Sequence, residues 1–150
     1  MKKTLITGAA GFIGFHTARR ELKKGNFVIG IDNLDNYYDV NIKRDRINIL
    51  KKEKNFLFFK DFLKNENLYK KLKKYLKDID IIIHLAGQAG VRYSIFNPET
   101  YILNNILVYV KLLEFFKLSK KLKVILYASS SSVYGEKGEI GWRNQIRSYV

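Results

Sequence analysis

Cysteine is absent from the sequence, histidine occurs twice, and proline, methionine and tryptophan occur once each. Without cysteine there can be no disulfide and no thiolate metal centre, a composition that fits a cytoplasmic protein. His16 and His84 stand apart in a helical and a strand-like stretch, with no constellation of metal ligands around them. They read as packing residues, and no metal is expected. No apolar run is long enough to span a membrane, and Met1-Lys2-Lys3 leads straight into a strand pattern, so neither a membrane partner nor a signal peptide is expected. Linkers, low-complexity tracts and internal repeats are missing as well. Acidic residues are scarce: 14 Asp and Glu against 28 Lys and Arg, a formal net charge of +14. Such a charge could speak for nucleic acid, but the lysines sit beside apolar residues at helical spacing. In LYKKLKKYLK, residues 68–77, Leu68, Leu72, Tyr75 and Leu76 form the stripe to be buried, and the lysines form its solvated face. No aromatic-plus-basic platform or recognition motif accompanies them, so nucleic acid is not an expected partner, although the charge would attract anionic nucleotides.

What is present begins with TGAAGFIG, residues 7–14, set between a short apolar run and an amphipathic stretch. Strand, glycine turn and helix in that order make a dinucleotide-binding unit. Gly8 permits the tight turn off the strand, Gly11 lets the chain approach a pyrophosphate, and Gly14 lets the helix pack on the strand. The first N–H groups of the helix have no intrahelical partners and would point at the phosphates. The spacing GxxGxxG resembles that of the short-chain dehydrogenase/reductases.

The hydrophobic fraction of 47% in 150 residues suffices for one core and one domain. Strand patterns at 3–7, 27–31, 56–59, 80–85 and 123–127 alternate with helical patterns at 12–24, 40–52, 66–77 and 98–118. Gly25 suits the position just past the first helix, and Asn97 with Pro98 suits a cap and first turn. The expected fold is α/β: a Rossmann-type, doubly wound parallel sheet of strand order 3-2-1-4-5, ending after about five strands. Asp32, at the end of the second strand, can accept hydrogen bonds from adenosine ribose hydroxyls and would repel a 2′-phosphate, so NAD is the expected cofactor. Asp61, after the third strand, either meets the adenine edge or closes a turn. Tyr37 and Tyr38 cover the adenosine or are ordinary exposed loop aromatics.

Three further stretches carry a more specific likeness: GIDNLDNYYDVNIKRDRI at 30–47, HLAGQAGVRYSIFNP at 84–98 and YASSSSVYG at 127–135. They resemble the NAD-dependent sugar-nucleotide epimerases and, among these, the UDP-glucuronate 4-epimerase branch. The resemblance covers residues 1–135 as a partial NAD-binding domain and is lost in a divergent tail, 136–150. It implies a UDP-sugar substrate, homodimers for full-length members, and hydride removal from C4 of the sugar to NAD while a tyrosinate takes the 4-OH proton. It also implies that Gly8, Gly11, Phe12, Ile13 and Gly14 hold the pyrophosphate, that Asp32 and Asn33 hold the ribose, and that Asp61 and Phe62 flank the adenine. Leu85, Ala86 and Gly87 would pass beside the cofactor, and Asn105 would meet the loop near the active site.

Ser130 falls on the family's serine or threonine that hydrogen-bonds the sugar 4-OH. The next two positions, Ser131 and Ser132, stand where related 4,6-dehydratases carry Asp-Glu, which favours plain epimerisation. Without the family context, these serines would read as a small-residue strand end bonding its own backbone. Arg92 faces an anionic part of the substrate or makes a structural ion pair. The family's YxxxK pair is not found after VYG. Tyr149 has no residue four places on, and the YxxxK at Tyr69–Lys73 belongs to the helix before strand four. The expectation is a chain that carries the NAD site and is inactive by itself. A non-catalytic module that holds NAD, or a different UDP-sugar epimerase, is the alternative.

Overall fold

The computed structural model describes residues 1–130; Ser131, Ser132, Tyr149 and the stretch 136–150 lie outside them. Five parallel strands form one sheet of order β3-β2-β1-β4-β5, as the alternation of patterns predicts. The central strand β1 (Lys3–Thr7) pairs with β2 (Phe27–Asp32) on one side and β4 (Ile81–His84) on the other. Strands β3 (Phe56–Lys60) and β5 (Val124–Tyr127) extend the sheet beyond β2 and β4.

Alternation along β1 divides the core in two. Leu5 belongs to a cluster with Ile29, Ile82, Leu68, Leu72, Leu112 and Phe116, whereas its neighbour Ile6 belongs to a cluster with Val28, Phe15, Ala18, Ile47 and Leu50. Helices α1 (Phe12–Lys23) and α2 (Val40–Leu50) cover the second face, and α3 (Glu66–Leu72) covers the first. A strand apolar on both faces needs helices on both faces, which is the doubly wound arrangement. Leu68 and Leu72 are fully buried, as the stripe in LYKKLKKYLK predicts, while Tyr75 and Leu76 are half-buried.

Helix ends follow local chemistry. Past α1, Gly25 takes φ +76°, its N–H bonds the carbonyl of Leu22 at 2.9 Å, and the N–H of Asn26 bonds that of Glu21 at 3.1 Å. That paired arrangement needs a left-handed residue, and glycine adopts it without a Cβ penalty. Asn97 occupies the cap before Pro98, but its side chain makes no capping bond, contrary to expectation.

The longest predicted helix, 98–118, is not one regular helix. It comprises α5 (Pro98–Tyr101), a π-helical stretch Ile102–Leu107 and α6 (Val108–Phe116). The widened turn inserts a residue into the ladder and so sets Asn104 and Asn105 on the loop after β4. That loop contains a further helix, α4 (Val91–Phe96), which the sequence reading does not include. Among the described residues no helix is long and apolar enough to cross a membrane.

Candidate functional site: a cleft at the sheet's switch point

Thr7, the last residue of β1, lies opposite Ile31 on β2 and His84 on β4. The chain leaves the sheet in opposite directions on either side of β1, so a crevice opens at these carboxyl ends. The glycine turn follows at once. The N–H groups of Gly8 and Ala9 bond the carbonyl of Ile31 at 2.9 and 3.2 Å. Gly8 has φ +70°, and a Cβ there would lie 2.8 Å from the backbone nitrogen of Ala86. Its bareness therefore serves the approach of the β4 loop as well as the turn. A Cβ at Gly14 would stand 2.0 Å from the carbonyl oxygen of Gly8, so helix α1 can lie on the turn only with glycine there. The helix begins at Phe12 with no acidic side chain in its first turn, leaving its positive end to a ligand.

Asp32 closes this corner. Its Oδ2 accepts from the N–H of Ala10 at 3.0 Å and its Oδ1 from that of Leu34 at 2.8 Å. Each carboxylate oxygen keeps capacity for a second hydrogen bond. Arg46 of α2 donates to the carbonyl of Ala10 and to the hydroxyl of Tyr38, both at 3.1 Å. The Ala10 backbone is thus held at its N–H and at its C=O by groups from two different elements.

Nine of the residues predicted to hold the cofactor line one cleft of about 260 Å³: Gly8, Gly11, Asp32, Asn33, Asp61, Phe62, Leu85, Ala86 and Gly87. Tyr37 and Tyr38 line it too. Asp61 lines the cleft and also holds a turn, its Oδ1 accepting from the Phe62 N–H and the Asn65 side chain, each at 2.9 Å.

Other predicted residues stand elsewhere. Phe12 and Ile13 are 66% and 62% exposed and do not line the cleft. Gly14 acts through its packing on Gly8, and Asn105 through the backbone of Gln88. Asn105 Oδ1 accepts from the Gln88 N–H at 2.6 Å and its Nδ2 donates to the Gln88 carbonyl at 3.1 Å. Arg92, on α4, and Ser130, just past β5, are exposed and outside the lining.

The reading from sequence missed Lys43, Gln88 and Asn104, all of which line the cleft. Lys43 lies in a helix full of basic residues and carries no signal that separates it from them. Asn104 comes to the wall through the π-helical stretch, which periodicity at 3.6 residues does not anticipate.

Behind the cleft, the Thr7 hydroxyl receives the N–H groups of Leu85 and Ala86 at 3.2 and 3.1 Å and lies 2.8 Å from His84 Nδ1. With both lone pairs occupied, the hydroxyl proton goes to Nδ1, which puts the ring proton on Nε2. His84 is buried and stacked on Tyr109 at 5.0 Å, and burial lowers its pKa to about 4. It is therefore a neutral packing residue that helps fix the floor of the site. Tyr69, the tyrosine of the stray YxxxK, packs on Phe115 at 5.0 Å and does not line the cleft. Its hydroxyl is buried without a partner, and burial pushes its pKa up to about 12, opposite to what a base requires.

Comparison with known proteins agrees with this geometry. The family described as GDP-mannose 4,6 dehydratase matches residues 5–148, which runs past Gly135, where the motif-level resemblance ends. Protein CapI of Staphylococcus aureus is 47% identical over 89% of this chain and 39% of its own length. UDP-glucuronate 4-epimerase 6 of Arabidopsis thaliana is 45% identical over 96% of this chain and 31% of its own length. The chain thus spans well under half the length of these curated relatives. Among solved structures, a mutant UDP-glucuronic acid 4-epimerase from Bacillus cereus, in complex with UDP-4-deoxy-4-fluoro-glucuronic acid and NAD, superposes with a TM-score of 0.81. It is 38% identical, and the match covers 95% of this chain and 44% of that one.

Proposed function

The chain belongs to the GDP-mannose 4,6 dehydratase family, and on that premise we propose that it is the NAD-binding part of a sugar-nucleotide 4-epimerase of the UDP-glucuronate type. The observation that carries this reading is the cleft at the ends of β1, β2 and β4, which joins the bare turn at Gly8, the cap residue Gly11 of α1 and the Asp32 carboxylate. Those three groups suit a pyrophosphate and an adenosine ribose. A volume of about 260 Å³ lies near the lower limit for small-molecule sites, enough for part of a dinucleotide and not for a sugar nucleotide beside it.

NAD bound there would supply the hydride acceptor and donor for C4 of the sugar. The chain's own residues bind and orient. The N–H groups of the glycine turn and α1 take the phosphates, Asp32 accepts from ribose hydroxyls, and Asp61 and Phe62 flank the adenine. Asn105 holds the Gln88 peptide so that Leu85, Ala86 and Gly87 keep their place along the cleft. Ser130 is assigned the sugar 4-OH by its match to the family's serine or threonine position, with Arg92 near an anionic part of the substrate. Ser131 and Ser132, lacking the acid and base of a dehydratase, favour epimerisation.

The polypeptide of these 150 residues binds NAD but does not turn over UDP-glucuronate. A serine hydroxyl needs a neighbouring base to lose its proton, and the one YxxxK tyrosine is buried against Phe115. Loss of a positioned base alone lowers a rate by about 10²–10⁴-fold. The test follows UDP-galacturonate formation with NAD in excess, where background rates are expected. Turnover that disappears in Ser130→Ala would overturn the claim of inactivity.

A further inference from the structure

Lys43 is the one buried lysine among the described residues, 6% exposed, where the others there are exposed or half-buried. It lies on α2 and lines the nucleotide cleft beside Asp32, Asn33 and Asp35. Its Nζ donates to the Asp35 carbonyl at 2.5 Å and stands over the Tyr38 ring, 4.3 Å from the centroid. Among the described residues no carboxylate comes within 4.0 Å of it. Asp80, the other buried charged group among the described residues, has by contrast the Lys3 N–H at 2.8 Å and Lys121 at 3.9 Å.

An ammonium group carries three donors, and one carbonyl with one ring face satisfies it poorly. Burying such a group destabilises the fold unless a further acceptor arrives. The cleft wall is where that acceptor can come from. We propose that Lys43 binds the nucleotide directly, donating to a ribose hydroxyl oxygen at the adenosine end while Asp32 accepts from the same ribose. This rests on the reading that a dinucleotide occupies the cleft, and it adds to Asp32 a donor that sequence alone assigns to the solvated surface. The pair is complementary: the carboxylate needs the hydroxyl's proton and the ammonium needs its oxygen.

Lys43→Met keeps most of the stem and removes the donors. Calorimetry with NAD, AMP and the 2′- and 3′-deoxy forms of AMP reads the effect on binding, and thermal unfolding of the ligand-free chain reads the effect on the fold. Lys43→Met should weaken NAD and AMP by about 10–100-fold, the span of a hydrogen bond to a charged group. It should bind AMP and one of the deoxy analogues equally, although the wild type distinguishes them. The ligand-free variant should be at least as stable as the wild type, because an underserved buried charge has gone. Unchanged NAD affinity would overturn the proposal. So would a destabilised variant that loses AMP and both deoxy analogues equally, which would mark Lys43 as a brace for the Asp35 loop. A wild-type chain that bound neither NAD nor AMP would overturn the functional reading and this inference together.

Discussion

The α-carbon of Gly14 faces the carbonyl oxygen of Gly8 so closely that a Cβ at Gly14 would stand 2.0 Å from it. Helix, turn and central strand are locked together at this contact, and nothing flexible is there to give way. Gly14→Ala should therefore destabilise the chain by about 3 kcal/mol, the upper end for overpacking, and abolish NAD binding. Gly25 is the control. Nothing lies within 4 Å of a Cβ there, but its φ is +76°, so Gly25→Ala should cost only the left-handed penalty, about 1 kcal/mol, and leave NAD binding intact. Urea unfolding of both variants checks the contrast.

His84 makes stability depend on pH. Its folded pKa lies near 4, below its ordinary value of 6.5, because burial disfavours the charged ring. The unfolded chain therefore binds the proton first as pH falls, and stability is lost between about pH 6.5 and 4. Above that window the effect is absent, and below it the loss is complete, at most about 3 kcal/mol. Carboxylates also titrate in acid, so the expected result is a difference: His84→Asn should lose less stability than the wild type between pH 7 and 4.5. Equal losses in denaturant midpoints would contradict it.

Asn105 and Gln88 bond through both the N–H and the C=O of one peptide. Asn105→Ala removes both bonds and frees the loop that runs beside the cleft. Stability should fall by about 1–2 kcal/mol, and NAD affinity should fall with it, although Asn105 does not line the cleft. Hydrogen exchange should quicken at the Gln88 amide and stay unchanged at Leu5 and Ile29 in the sheet.

Much of this was legible in the sequence because the fold obeys local rules. Leu5 and Ile6 alternate, Gly25 ends a helix, and Gly8 to Gly14 turn a strand into a helix, so strand order and cleft follow from patterns of period 2 and 3.6. Three features were not legible, each for a physical reason. The π-helical stretch around Asn104 has the composition of an ordinary helix, and only the packing of the helix on the β4 loop reveals it. Lys43 is one lysine among many until α2 turns it inward. That Phe12 and Ile13 stand exposed and outside the cleft lining is set by how α1 packs on the sheet, which the glycine motif does not encode.

The central claim is that the cleft around Asp32 is an NAD site. The most direct test is calorimetric titration of the 150-residue chain with NAD and with NADP in one buffer, for the wild type and Asp32→Ala. NAD should bind, more tightly than NADP by about 10-fold or more, because a 2′-phosphate would meet the Asp32 carboxylate as a like charge. Asp32→Ala should narrow that gap. Binding of NADP as tight as that of NAD, or no binding of either, would contradict the account.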